Sequence, residues 1–82
     1  MSPTVFREKG YRFFFFSREE ERPHIHVVSA NGESKFWMEP AIEVAKNYFH
    51  SAKQVKEIEQ LIREHQHDII SAWNRHFRSG SY

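Results

Sequence analysis

The 82-residue sequence has no cysteine and only three glycines and three prolines. Without cysteine, neither a disulfide framework nor a zinc ribbon can stabilise the chain. No apolar run approaches the roughly 20 residues that a membrane-spanning helix needs. Residues 1–9 also lack the apolar stretch of a signal peptide. We therefore expect a cytoplasmic protein with no membrane partner.

The sequence also lacks an excess of charge of either sign. Twelve basic and eleven acidic residues give a net charge of +1. A general field that would attract nucleic acid is therefore absent, although a local basic patch is compatible with this balance. We find no glycine-rich phosphate loop, no serine or cysteine nucleophile constellation and no helix-turn-helix pair.

Aromatic residues are abundant, with eight Phe, three Tyr and two Trp. Large rings bury much area per residue and can compensate for the small core of a short chain. The length predicts a single domain over residues 1–82.

Four strands are predicted in the first half, because β-branched and aromatic residues favour extended backbone. They are Thr4–Glu8, 11–17, His24–Ser29 and 34–38. Gly10 provides a tight turn between the first two strands, and Asn31 with Gly32 forms the turn between the last two. The segment 40–49 carries no clear period. Residues 41–49 are compatible with a short helical turn or a fifth strand, and the segment is predicted to be irregular or a short helix.

One amphipathic helix is predicted over residues 51–78. Ser51 and Gln54 match the capping box, in which each side chain binds a backbone amide of the first turn. Apolar residues then recur at helical spacing, namely Val55, Ile58, Ile62, Ile69, Trp73 and Phe77. The predicted fold class is thus α+β, with a small antiparallel sheet of about four strands packed on one long C-terminal amphipathic helix.

Alternation along the strands predicts two different sheet faces. The helix side would receive Ile25, Val27, Phe36 and Met38. The opposite side would carry cations and rings, namely Arg12, Phe14, His24, His26, Lys35 and Trp37. Such a face suits a protein interface, where Trp, Phe and Arg are enriched. It also suits RNA, whose bases stack on rings. The balanced charge favours a protein partner.

The most distinctive local feature is the paired histidines His24 and His26. The side chains of residues two apart on a strand point to the same side, and their Cα atoms are about 6.6–6.8 Å apart. Three interpretations stay open. The two imidazoles could bind a metal ion with a third ligand. They could act as acid and base in RNA cleavage, with Lys35 or Arg12 stabilising the phosphorane charge. They could also be ordinary strand residues. The candidate catalytic residues are His24, His26, Lys35 and Arg12, with no cofactor or metal assigned.

Several segments together resemble a known family. They are PTV at 3–5, GYRFFFFS at 10–17, PHIHV at 23–27, KFWM at 35–38 and AWNRHF at 72–77. The chain resembles the domain of unknown function 4160 family of small prokaryotic proteins across nearly its whole length. The family motif falls on His24, His26, Lys35 and Trp37. Glu64 is followed here by His65, where relatives carry asparagine.

This resemblance implies a setting rather than an activity. Members are often encoded beside a protein of the domain of unknown function 2442 family, in pairs that look like type II toxin–antitoxin modules. It implies a protein partner from the same operon, with this chain on the toxin side. Residues Phe14, Trp37, Arg12 and Lys35 are the predicted partner-binding set. A ribonuclease toxin using the strand histidines, with RNA as its target, and a metal-binding protein are the alternatives, and the chain could also form an oligomer.

Overall fold

The computed structural model describes residues 4–16 and 22–79. Five strands precede two α-helices and a final π-helix. The strands are β1 Thr4–Glu8, β2 Tyr11–Phe14, β3 His24–Ser29, β4 Gly32–Trp37 and β5 Glu43–Tyr48; the helices are α1 Ala52–Glu64 and α2 Gln66–Asn74, followed by the π-helix Arg75–Ser79. Ser17, the acidic run 19–21 and Gly80 lie outside the described residues.

The strands form one antiparallel sheet in the order β1-β2-β3-β4-β5. Each strand pairs with the next along the chain, so the sheet is a meander joined by short connections. Gly10 has a φ of +84°, which confirms the predicted turn between β1 and β2. Both α+β architecture and antiparallel pairing were predicted, and both are confirmed.

The prediction for residues 40–49 was wrong, because the fifth strand lies there. β5 pairs with β4 over Glu43–Tyr48 and forms one edge of the sheet. Most of its side chains are exposed on both faces. A strand without a buried face has no alternation of polar and apolar residues, so its sequence carries no period-two signal.

The prediction of one continuous helix over 51–78 was also wrong. The helical segment is interrupted at His65, where the backbone has φ −108° and ψ 14°. The His65 amide still donates to the carbonyls of Leu61 and Ile62, at 3.1 and 3.2 Å. The His65 ring stacks on Phe6 with centroids 4.0 Å apart, and its Nε2 lies 2.8 Å from Glu8 Oε1. Contacts with β1 thus accompany the break.

The start of α1 is as predicted. The Ser51 Oγ accepts from the Gln54 amide at 3.1 Å, and Gln54 Oε1 accepts from the Ser51 amide at 2.9 Å. The capping box therefore satisfies amides that have no partner within the helix.

The core lies between the helices and one face of the sheet. Ile25, Val27, Phe36 and Met38 are all buried there, which confirms their predicted side. The helices contribute Ile58, Leu61, Ile62, Ile69 and Trp73, and β2 and its extension contribute Tyr11, Phe13 and Phe15. Each such side chain stabilises the fold by about 1.5–3 kcal/mol through burial. Within residues 4–16 and 22–79, no helix has the length and apolar character to cross a membrane.

Candidate functional site: the open face of the sheet

The strand register assembles a row of side chains on the sheet face opposite the helices. Phe14 pairs with His26, His26 with Lys35, and Lys35 with Lys46. Directly paired residues of antiparallel strands project to the same side. The row therefore crosses four strands and combines a ring, an imidazole and two ammonium groups. We call this surface the open face; it also carries Arg12, Phe16, Trp37 and Tyr48.

Cations lie over the aromatic rings of the open face. The Arg12 guanidinium carbon is 4.6 Å from the centre of the Phe14 ring. Lys35 Nζ and the Arg22 guanidinium carbon lie 4.5 and 4.1 Å from the Trp37 ring. Such contacts contribute roughly 0.5–1 kcal/mol each at exposed sites. They hold the predicted residues Arg12, Phe14, Lys35 and Trp37 on one surface.

The accessible rings differ from the predicted ones. Phe14 is only 7% exposed, whereas Phe16 and Tyr48 are 45% and 51% exposed. Phe16 and Tyr48 line a shallow pocket of about 200 Å³ together with His26, Lys35 and Lys46. Lys46 and Tyr48 were not among the predicted site residues, because the strand β5 that carries them was not predicted. Residues 43–48 carry no period-two signal, so only the pairing of β5 with β4 places Lys46 and Tyr48 on this face.

The two strand histidines have different surroundings. His26 is half-buried on the open face, with its ring 4.2 Å from Phe16. His24 is fully buried, and its ring packs against Trp73 of α2 at 5.2 Å and Trp37 at 5.6 Å. The expectation that the helix leaves both imidazoles uncovered is therefore wrong for His24. Trp73 of α2 contributes to its burial.

A backbone contact fixes the His24 ring. Its Nδ1 lies 2.7 Å from the carbonyl oxygen of Arg22, and a carbonyl can only accept, so Nδ1 carries the proton and donates. The His24 and His26 ring centres are 5.1 Å apart. Among residues 4–16 and 22–79, no three His, Cys, Asp or Glu side chains are grouped so as to hold a metal ion.

A separate polar cluster surrounds His50, a residue to which the sequence analysis assigned no role. The His50 side chain is 5% exposed and lies between two hydroxyl groups. Its Nδ1 is 2.7 Å from Ser34 Oγ, and its Nε2 is 2.8 Å from Ser29 Oγ. Burial lowers the pKa of His50 below its ordinary value, and the charge of Glu33 opposes this effect. The imidazole is therefore neutral at neutral pH.

This burial predicts that the protein loses stability on acidification. A lowered pKa in the folded state means that the unfolded chain binds more protons, so stability is complete above about pH 6.5 and decreases as the pH falls toward the folded-state pKa. The Glu33 carboxylate acts on the imidazole through its charge, and the Tyr11 ring centre lies 5.8 Å from the His50 ring centre. We expect urea midpoints to decrease between pH 7 and pH 5, with a contribution from His50 of at most about 1.4 kcal/mol per pH unit.

The matched control is the exposed His67 on α2. The His50→Gln variant should have a flatter dependence of unfolding free energy on pH than the wild type. The His67→Gln variant should keep the slope of the wild type. An unchanged slope in His50→Gln would mean that other groups produce the pH dependence.

Fold and site together define a small α+β domain that presents a cationic and aromatic sheet face to solvent. The family described as Domain of unknown function (DUF4160) matches residues 10–74, and the chain belongs to this family. Comparison with curated proteins found no match. Comparison with solved structures found none either.

Proposed function

We propose that this protein is one member of a two-protein module of the toxin–antitoxin kind, on the toxin side, and that it binds its cognate partner through the open face. The observation that carries the proposal is the exposed Phe16 ring, 45% accessible, beside Lys35 and Lys46. Aromatic residues are enriched in protein interfaces relative to the rest of the surface.

The charges of the open face indicate the chemistry of the partner. Lys35 and Lys46 are directly opposite each other on neighbouring strands. Like charges in such a pair repel each other, and an anionic partner removes this repulsion. Arg22 and Lys35 lie over the Trp37 ring, and Glu43 is paired with Trp37 on the neighbouring strand. The partner surface should therefore combine carboxylates with apolar side chains.

A protein partner is favoured over RNA and over RNA cleavage. Stacking of bases on Phe16 and Tyr48 would be chemically reasonable, but the chain carries a net charge of only +1. A substrate bound to the open face would contact His26, while His24 is enclosed by Trp37 and Trp73. The acid–base pair would thus need a rearrangement before it could act, and ribonuclease activity stays a prediction.

Charge reversal on the open face tests the proposal. The variant Lys46→Glu should weaken binding of the protein encoded in the same operon about tenfold to a hundredfold, because like charges across an interface cost on the order of 1.4–3 kcal/mol. Isothermal titration calorimetry with the purified pair measures the dissociation constant. Lys35→Glu should have a similar effect, with an added loss from the contact with Trp37.

The control places the same substitution on the opposite side of the molecule. Lys56 is an exposed residue of α1, so Lys56→Glu changes the net charge equally and should leave the affinity within about twofold. Equal affinities for Lys46→Glu and Lys56→Glu would refute binding through the open face. Tight binding of RNA but not of the operon-encoded protein would refute the proposed partner class.

A further inference from the structure

The polar cluster around His50 has the arrangement of an activated hydroxyl. Ser29 is the last residue of β3 and is partly exposed, and its Oγ lies 2.8 Å from His50 Nε2. Ser34 of β4 contacts the other ring nitrogen at 2.7 Å. A nucleophile next to a base, with the base oriented by a third group, is the recurring geometry of nucleophilic catalysis. The cluster lies at the Ser29 end of β3, and Tyr48 lines both its pocket and the pocket of the open face.

The proton positions on Ser34 and on His50 Nδ1 follow from Asn47. Its Nδ2 donates to the carbonyl oxygen of His50 at 2.9 Å, and its Oδ1 accepts from the His50 amide at 3.2 Å. The amide orientation is thereby fixed. Ser34 Oγ, 2.8 Å from Asn47 Oδ1, must donate its only proton there.

The proton positions on His50 follow in turn. Ser34 has no second proton, so at Nδ1 it can only accept, and Nδ1 must carry the hydrogen. A neutral imidazole then has a lone pair on Nε2. The Ser29 hydroxyl has two acceptors for its one proton, this lone pair at 2.8 Å and Asn31 Oδ1 at 3.2 Å, and the shorter contact is the one to His50. This is the tautomer that a general base requires.

Ser29 lines a pocket of about 460 Å³ at the end of the sheet. The other walls include Val28, Gly32, Tyr48 and Phe49, of which Phe49 is 86% exposed. Phe49 also adopts a φ of +74°, an uncommon conformation for a bulky residue. The apolar walls favour an apolar substrate group, and the carboxylate of Glu33 at the rim disfavours an anionic one.

We propose that Ser29 is a nucleophile, that His50 is its general base, and that this pair accepts the acyl group of a neutral ester with an apolar substituent. Ser29 Oγ attacks the carbonyl carbon while its proton moves to His50 Nε2. The bond to the alcohol oxygen breaks, and the alcohol leaves with the proton from Nε2. Water, deprotonated by the same nitrogen, then releases the carboxylic acid and restores the serine.

The test uses p-nitrophenyl acetate as the acyl donor and the full-length protein. We expect release of p-nitrophenol together with one acetyl group on Ser29, located by mass spectrometry of peptides. Ser29→Ala should remove this acetylation completely. His50→Gln should slow it by about 100-fold, the effect expected for loss of a general base. Ser71→Ala changes a serine of α2 outside this cluster and should leave the rate unchanged.

Three results would overturn the proposal. The first is a folded protein, verified by circular dichroism, in which Ser29 is not acetylated. The second is an unchanged acetylation rate in folded His50→Gln. The third does not depend on any variant: nitrogen NMR of the wild type should find His50 protonated on Nδ1, and a proton on Nε2 would exclude its role as base. None of these results bears on partner binding by the open face.

Discussion

Replacing Phe13 by alanine is expected to lower the free energy of unfolding by about 3–5 kcal/mol, as is usual for truncation of a fully buried aromatic residue. The Phe13 side chain is completely inaccessible and lies in β2, next to the centre of the sheet. Its ring stacks on Phe6 with ring centres 4.1 Å apart. With Tyr11 it forms a T-shaped pair whose ring centres are 6.4 Å apart. Removing the ring would leave a cavity that the surrounding β-sheet cannot close. Urea denaturation followed by circular dichroism measures this decrease in the free energy of unfolding.

The same substitution at Phe49 provides the control. Phe49 is 86% exposed, so Phe49→Ala should change stability by no more than about 0.5 kcal/mol. Its φ of +74° is equally unfavourable for alanine, so relief of backbone strain does not obscure the comparison. Similar losses for the two variants would contradict the assignment of Phe13 to the core.

Elements that bury one regular face could be predicted from the sequence. Ile25 and Val27 alternate with His24 and His26 along β3, and both apolar side chains face the helices. When every second residue of a strand is buried, apolar and polar residue types alternate, and this pattern can be recognised in the sequence. The capping box of Ser51 and Gln54 was also predictable, since all its contacts lie within four residues.

Elements shaped by distant contacts could not be predicted in this way. β5 is held by its ladder with β4 rather than by burial, so its composition resembles that of a loop. The break at His65 accompanies contacts with Glu8 and Phe6, nearly sixty residues earlier. The local sequence pattern therefore predicts neither the strand β5 nor the break of the helix at His65.

The candidate site shows the same division. Alternation correctly assigned His26, Lys35 and Trp37 to a common surface. It could not reveal that Trp73 would enclose His24, because that depends on where α2 ends relative to the sheet. The Ser29–His50 contact joins residues 21 positions apart and was invisible to a search for local motifs.

Gly32→Ala is expected to destabilise the protein by about 3 kcal/mol, the upper end for overpacking, because the obstacle is backbone. A methyl group on Gly32 would lie 2.5 Å from the Tyr48 carbonyl oxygen and 2.9 Å from the His50 amide nitrogen. No flexible side chain can move aside, so the end of β5 itself must shift. Thermal or urea unfolding measures the loss, and NMR chemical shifts of residues 48–50 should change most.

The variant Gly10→Ala is the control for Gly32→Ala. It also replaces a glycine by alanine, but the added methyl group meets no other atoms. Gly10 has a φ of +84°, and nothing lies within 4 Å of the position of an added methyl group. Alanine there should cost about 1–2 kcal/mol, entirely through its left-handed backbone. Because Gly32 sits against the backbone that carries His50, Gly32→Ala should also disturb the hydrogen bond from Ser29 to His50 and slow acetylation of Ser29. Gly10→Ala should leave that rate unchanged. If both variants lost equal stability and kept the same acetylation rate, the close approach of β4 to the end of β5 could not be what positions His50.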